Sequence, residues 1–169
     1  VLRDLKDRRR NGLYDRLNDR PFRLNLGGGQ KPVPSYRNCD LYPGGRVEFV
    51  MDQCRLPYAN GSVHAIYSEH ALEHAPRDDA ARAAIGEWGR ALRHGGHLIL
   101  KVPDFDACCR MAAAAPDRAR KPGERWTEKE WYRYTIYGIQ KGQGSEPDEG
   151  QYHRTGFTQG ELQRLLEEN

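Results

Sequence analysis

The chain has 169 residues, 37% of them apolar and 30% charged, with a net charge of +3. That length supports one core and gives no ground for two domains, and a charge this small does not by itself call for nucleic acid. No apolar run approaches the ~18 residues of a membrane span, no signal peptide is visible, and Cys39, Cys54, Cys108 and Cys109 form neither a disulfide framework nor a C-x-x-C pair, so a soluble, cytoplasmic protein with reduced thiols is expected.

In chain order, Leu2, Leu5, Leu13 and Leu17 lie among interleaved Arg, Lys and Asp residues, which reads as an amphipathic leading helix over residues 1–20 with a solvated charged face rather than an RNA-binding arm. A short apolar strand, Arg23–Leu26, then runs directly into Gly27-Gly28-Gly29-Gln30, where a ligand can approach bare backbone. A second strand is expected near Arg37–Leu41 and a third at Val47–Met51. Each ends at an acidic residue, Asp40 and Asp52. A glycine loop and two carboxylates along one sheet edge suit a nucleoside: the glycines take its central part, one carboxylate the ribose hydroxyls and the other the base.

A nicotinamide dinucleotide fits this spacing poorly. Gly27 and Gly29 supply two glycines of G-x-G-x-x-G, but the third place is Pro32, which has no N–H and blocks close helix packing. Asp40 comes about 13 residues after Gly27, where a dinucleotide fold places its acid after roughly 20. No Gly-Lys-Ser/Thr follows, so a Walker loop fails too.

Further along, a fourth strand is expected near Ala65–Ser68. Ala81, Ala84, Ile85, Trp88 and Leu92 recur at helical spacing and mark one face packed on the sheet. Gly95-Gly96 is expected to end that helix, and His97–Val102 to form the fifth strand. Strands alternating with helices predict an α/β, Rossmann-like, doubly wound, mostly parallel sheet with ligands at the carboxyl ends of its strands. The stretch from Asp104 to Gln151 is too long for a bare connection and reads as helices plus a lid over the acceptor site. Its Trp126, Trp131, Tyr132, Tyr134 and Tyr137 suit stacking on sugar rings or, equally, the core of the insert. Residues 142–150 are polar and glycine-rich and read as a mobile flap.

Several motifs in this order resemble the class I S-adenosylmethionine-dependent methyltransferases. Leu24-Asn25-Leu26-Gly27-Gly28-Gly29 is similar to their first motif, with Asn25 where an acid usually stands and Lys31 where the last glycine does. Leu56-Pro57-Tyr58-Ala59-Asn60-Gly61-Ser62 resembles the run entering their fourth strand, and Arg90-Ala91-Leu92-Arg93-His94-Gly95-Gly96 the turn before the fifth. More narrowly, the short proline-containing link to Asp40, Ser68-Glu69-His70-Ala71-Leu72-Glu73-His74, and Tyr137-Gly138-Ile139-Gln140 followed by His153-Arg154-Thr155-Gly156-Phe157-Thr158 resemble a small bacterial branch associated with cell-surface glycan biosynthesis. The resemblance implies S-adenosyl-L-methionine as cofactor, with S-adenosyl-L-homocysteine as product. It implies contacts from Asn25, Gly27, Gly28, Gly29, Gln30, Asp40, Leu41, Asp52, Gln53 and Ser68, of which Asp40 binds the ribose and Asp52 the adenine amino group. It also calls for two last strands, before which this chain stops.

Methyl transfer to a hydroxyl needs an aligned acceptor and a base for its proton. His70, just past the fourth strand, is the first candidate; His153, on a loop returning after the insert, is the second; Asp104, just past the fifth strand, orients the acceptor or serves as base. His70-Ala71-Leu72-Glu73-His74 also matches the H-x-x-E-H zinc pattern, in which the two histidines share a helix face. Its setting after a parallel strand in a nucleoside site favours the methyltransferase reading, with no metal. The expectation is therefore one domain over residues 1–169 that O-methylates a small-molecule or saccharide acceptor. The rivals are a noncatalytic nucleoside-binding scaffold, an RNA or protein methyltransferase, and a zinc peptidase.

Overall fold

The computed structural model describes residues 22–75, 78–138 and 152–169. The expected leading helix and the 142–150 flap lie outside the described residues. Five strands, β1 (Arg23–Leu26), β2 (Arg37–Asp40), β3 (Phe49–Val50), β4 (Val63–Glu69) and β5 (Leu92–Lys101), form one sheet in the order β3-β2-β1-β4-β5, every pair parallel. The order reverses between β1 and β4. Ligands in open α/β sheets bind beyond the carboxyl ends of the strands at such a switch point.

The interior follows from the strand pattern. Leu24, Ile66 and Leu98 stand in register across β1, β4 and β5, and Leu26, Ser68 and Leu100 form the next row. Helix α1 (Asp78–Ala91) lays Ala81, Ala84, Ile85 and Trp88 into this core, at the helical spacing the sequence shows. Helix α4 (Gln159–Glu167) adds Leu162 and Leu165 beside α1, its first turn closed by a capping box between Thr158 and Glu161. Helices α2 (Phe105–Ala114) and α3 (Glu128–Tyr137) pack on each other, and neither contains a fully buried residue.

Two local departures have clear causes. The first helix ends at Ala91, ahead of Gly95-Gly96; Leu92 already pairs with Val63, and the glycines sit in an irregularity of β5, Gly95 at φ +72°. Lying across a register shift rather than at a helix end, they give the strand its break. The H-x-x-E-H segment is not a helix carrying two histidines on one face. His70 takes a left-handed φ of +53°, and only Leu72–His74 forms a single turn of 3-10 helix. Between β1 and β2 the chain crosses in about ten residues without a helix.

Candidate active site

The glycine loop is held from beneath. Asn25 and Asn38, both buried, share a 2.7 Å hydrogen bond from Asn25 Nδ2 to Asn38 Oδ1. Asn25 Nδ2 also donates to Lys31 O, and Asn38 Nδ2 to Gly29 O and Arg46 O. A Cβ at Gly28 would overlap both amide groups, which is why glycine is required there. Gly27, at φ +69°, needs glycine both for its backbone and because a Cβ would fall on Ala71. Asn25 is thus a support of the loop, and it stands where the related motif carries an acid.

Above the loop, Asp40 Oδ2 accepts from Gly29 N at 2.9 Å and Oδ1 from Tyr42 N. Asp52 Oδ1 accepts from Cys54 N at 2.8 Å. The turn carrying Asp52 is fixed from the core: buried Trp88 donates its indole N–H to Gln53 O at 3.0 Å, and Gln53 Nε2 donates to Ala71 O. The loop before β4 is fixed by Arg90, which donates to Tyr58 O, Leu56 O, Asn60 Oδ1 and both Glu87 oxygens. Arg90 holds the Glu87 carboxyl below the usual carboxylate range. Two of the sequence motifs therefore clamp one another.

A cavity of about 860 Å³ opens over the strand ends. One part of its lining is Gly27, Gly29, Gln30, Asp40, Leu41, Asp52 and Gln53, from the glycine loop and the ends of β2 and β3; another is His70, His74, His153, Trp131, Tyr134 and Thr135, from the turn after β4, α3 and the loop before α4. Of the expected contacts, Asn25, Gly28 and Ser68 lie behind this wall, Ser68 wholly buried. Asp104 does not reach the cavity. Its Oδ1 caps α2 by accepting from Ala107 N at 3.0 Å, and its backbone bridges to Phe157.

Glu73, which the sequence assigns no role of its own, sits at the centre of the histidines. It is 1% exposed, with Oε1 3.1 Å from His70 Nδ1 and 3.9 Å from His153 Nε2, while Oε2 has no hydrogen-bond partner among the described residues. Burial pushes its carboxyl above the usual range, against the opposing pull of His74 and His70. Burial, then the neighbouring His74, pushes His153 down to about 4. His153 Nδ1 meets Thr135 O at 2.9 Å and His74 Nδ1 meets Tyr152 O at 3.1 Å. A carbonyl oxygen can only accept, so both nitrogens carry the proton in these bonds. The aromatic wall is ordered by stacking: Trp131 lies 5.5 Å from Tyr134 at 27°, and Trp126 5.6 Å from Tyr134.

Residues 35–100, from the approach to β2 through most of β5, match the family model described as a methyltransferase domain. A search of curated proteins finds no match. Among solved structures the chain resembles an S-adenosylmethionine-dependent methyltransferase from Mesorhizobium loti, at 20% identity and a TM-score of 0.45, covering 87% of this chain and 72% of that one. It also resembles trans-methyltransferase CalH in complex with SAH (17% identity, TM-score 0.36, covering 51% of this chain and 33% of that one). A third likeness is to phosphoethanolamine N-methyltransferase 2 of Haemonchus contortus with S-adenosyl-L-methionine (14%, TM-score 0.43, 93% and 35%). The chain spans about a third of the length of the last two. The parallel sheet with its glycine loop at the switch point is a Rossmann-like fold, and the stretch from the approach to β2 through most of β5 is similar to a methyltransferase domain.

Proposed function

We propose that this protein transfers a methyl group from S-adenosylmethionine to a hydroxyl of a small-molecule or saccharide acceptor, with His70 as the base. The observation that carries the reading is one cavity whose lining combines two chemically different groups, a glycine loop with carboxylates and a set of histidines with stacked aromatic rings. The loop and Asp40 suit the amino-acid and ribose portions of the cofactor, and Asp52 the adenine amino group. Bound there, the cofactor supplies an electrophilic methyl on a sulfonium.

The chain's own part is alignment and proton removal. His70 lines the cavity half-exposed, and its bond to Glu73 fixes the ring and stabilises the imidazolium formed when the other nitrogen takes the acceptor proton. Its left-handed backbone supports the assignment, since strain at a non-glycine residue tends to collect at functional sites. In this reading α2 and α3 act as the lid, and Trp131 and Tyr134 favour a flat, ring-bearing acceptor such as a sugar of the kind used in cell-surface glycans. Among the described residues no helix is long and apolar enough to cross a membrane. A cytoplasmic site of action, expected from the sequence, is part of the proposal.

The test is calorimetric titration with S-adenosylhomocysteine, followed by turnover with nucleotide sugars and glycans. His70→Ala should keep product affinity and lose about 10²–10⁴-fold in turnover. Full activity in that variant would transfer the role of base to His153, and no binding of S-adenosylhomocysteine to the wild-type chain would overturn the reading itself.

A further inference from the structure

Glu73, His74 and His153 are brought together from two distant segments, the 3-10 turn after β4 and the loop before α4, with one ligand atom from each lying within 4.8 Å of the others. The two rings stand nearly perpendicular, 83° apart, with centroids 4.8 Å from each other. Each histidine places its Nδ1–H on a backbone carbonyl, His74 on Tyr152 and His153 on Thr135. In the neutral ring this leaves Nε2 as a bare lone pair, the tautomer and outer-sphere bond that metal-ligating histidines show.

The third donor carries its own signal. Glu73 is 1% exposed, and its Oε2 makes no hydrogen bond among the described residues. A buried carboxylate oxygen without a partner is costly and calls for an unseen one. Its Oε1 lies 3.9 Å from His153 Nε2, too far for a hydrogen bond yet near the ~3.4 Å that separates two ligands on a tetrahedral ion with ~2.1 Å bonds.

We propose that Glu73, His74 and His153 form a site for a divalent transition-metal ion, with zinc as the best-matched occupant, on the acceptor side of the cavity. Two imidazoles and a carboxylate suit zinc, and three protein ligands leave a fourth position open, as in catalytic rather than structural sites. His74 and His153 both line the cavity, which puts the ion at its wall. The site differs from the H-x-x-E-H pattern, whose two histidines would be His70 and His74, and departs from the sequence expectation of no metal. Its role rests on the proposed methyl transfer: the ion binds the acceptor hydroxyl and lowers its pKa, the proton passes to His70, the oxygen takes the methyl, and sulfur keeps the electron pair of the broken carbon–sulfur bond.

The experiment uses the full chain stripped with a chelator, titrated with zinc chloride by calorimetry and with cobalt(II) by visible absorption. One equivalent of zinc is expected, with the intense bands of four-coordinate cobalt. Glu73→Gln, which keeps the side-chain shape, and His153→Ala should each weaken zinc by about 100-fold or more. Cys108→Ser, a control for thiol binding, should bind zinc as the wild type does. Absence of a stoichiometric site, or unchanged zinc affinity in Glu73→Gln, overturns the proposal even if His153→Ala fails to fold. S-adenosylhomocysteine is titrated in parallel: binding of it without zinc overturns the metal site alone, and zinc without it overturns the methyl-transfer reading alone.

Discussion

The two parts of the cavity lining are built by different physics. The strand-end rim under the glycine loop rests on buried groups: Trp88 fixes the Gln53 turn, Asn25 and Asn38 fix the loop, and Leu24, Leu26 and Cys39 fill the core beside them. The aromatic part rests on α3, which has no fully buried residue, a Thr127–Glu130 capping box, and the partly exposed pairs Arg118–Glu124 and Arg120–Glu130. One part is preformed; the other is held by contacts that water and salt can replace. On the proposed reading, a rigid rim for the cofactor beside a more weakly held wall for the acceptor suits one fixed cofactor and a bulkier second substrate.

The contrast can be broken most forcefully from the core. Trp88→Ala should cost about 3–5 kcal/mol in denaturant unfolding and also lower affinity for S-adenosylhomocysteine, because the indole holds the Gln53 turn. If stability falls and affinity does not, the rim is not supported through this helix. Asp52→Ala is expected to leave stability near wild type while weakening S-adenosylhomocysteine roughly 10–100-fold, the range for a hydrogen bond to a charged group. Unchanged affinity would remove Asp52 from the cofactor site.

Smaller effects belong to the other part. Arg120→Ala should barely move the melting temperature and leave S-adenosylhomocysteine affinity intact, yet raise the KM for an acceptor; equal changes in both affinities would erase the distinction between the two parts. The mildest expectation concerns acid. Arg118 and Arg120 hold Glu124 and Glu130 at about 2. A carboxyl whose folded value is depressed adds stability above its unfolded value and loses it as pH falls through the folded one. Protection of the α3 amides from hydrogen exchange should therefore decline between about pH 4 and 2, and a flat profile would mean these pairs do not hold the helix.

Much of the fold was legible because strand and helix periods are local. Arg23–Leu26 was read with its structural boundaries, and Ala81, Ala84, Ile85 and Trp88 face the core as their spacing requires. Most of the glycine-loop and carboxylate set lines the cavity for the same reason: each residue lies at or shortly beyond the carboxyl end of a strand. What escaped depends on partners distant in sequence or on a single dihedral. Asn25 became a support because the register sets it beside Asn38. His70 left the helical pattern through one left-handed residue, and the grouping of Glu73 and His74 with His153 exists only once the loop before α4 returns to the sheet. Asp104 alone was readable, since an aspartate shortly past a strand and just before a helical run is a favoured N-cap.

The helix-free link between β1 and β2 bears on how the chain folds. Parallel strands are ordinarily joined by a crossover of a dozen or more residues, and loop-closure entropy delays their pairing. A loop of about ten residues closes in roughly 10–100 ns, so β1 and β2 can meet early, with Asn25 and Asn38 locking the pair as it forms. Leu26→Ala should then slow folding nearly in proportion to the stability it removes; a change confined to the unfolding rate would put the nucleus elsewhere. On this view the segment that would later cradle a ligand first serves as the seed on which the rest of the sheet condenses.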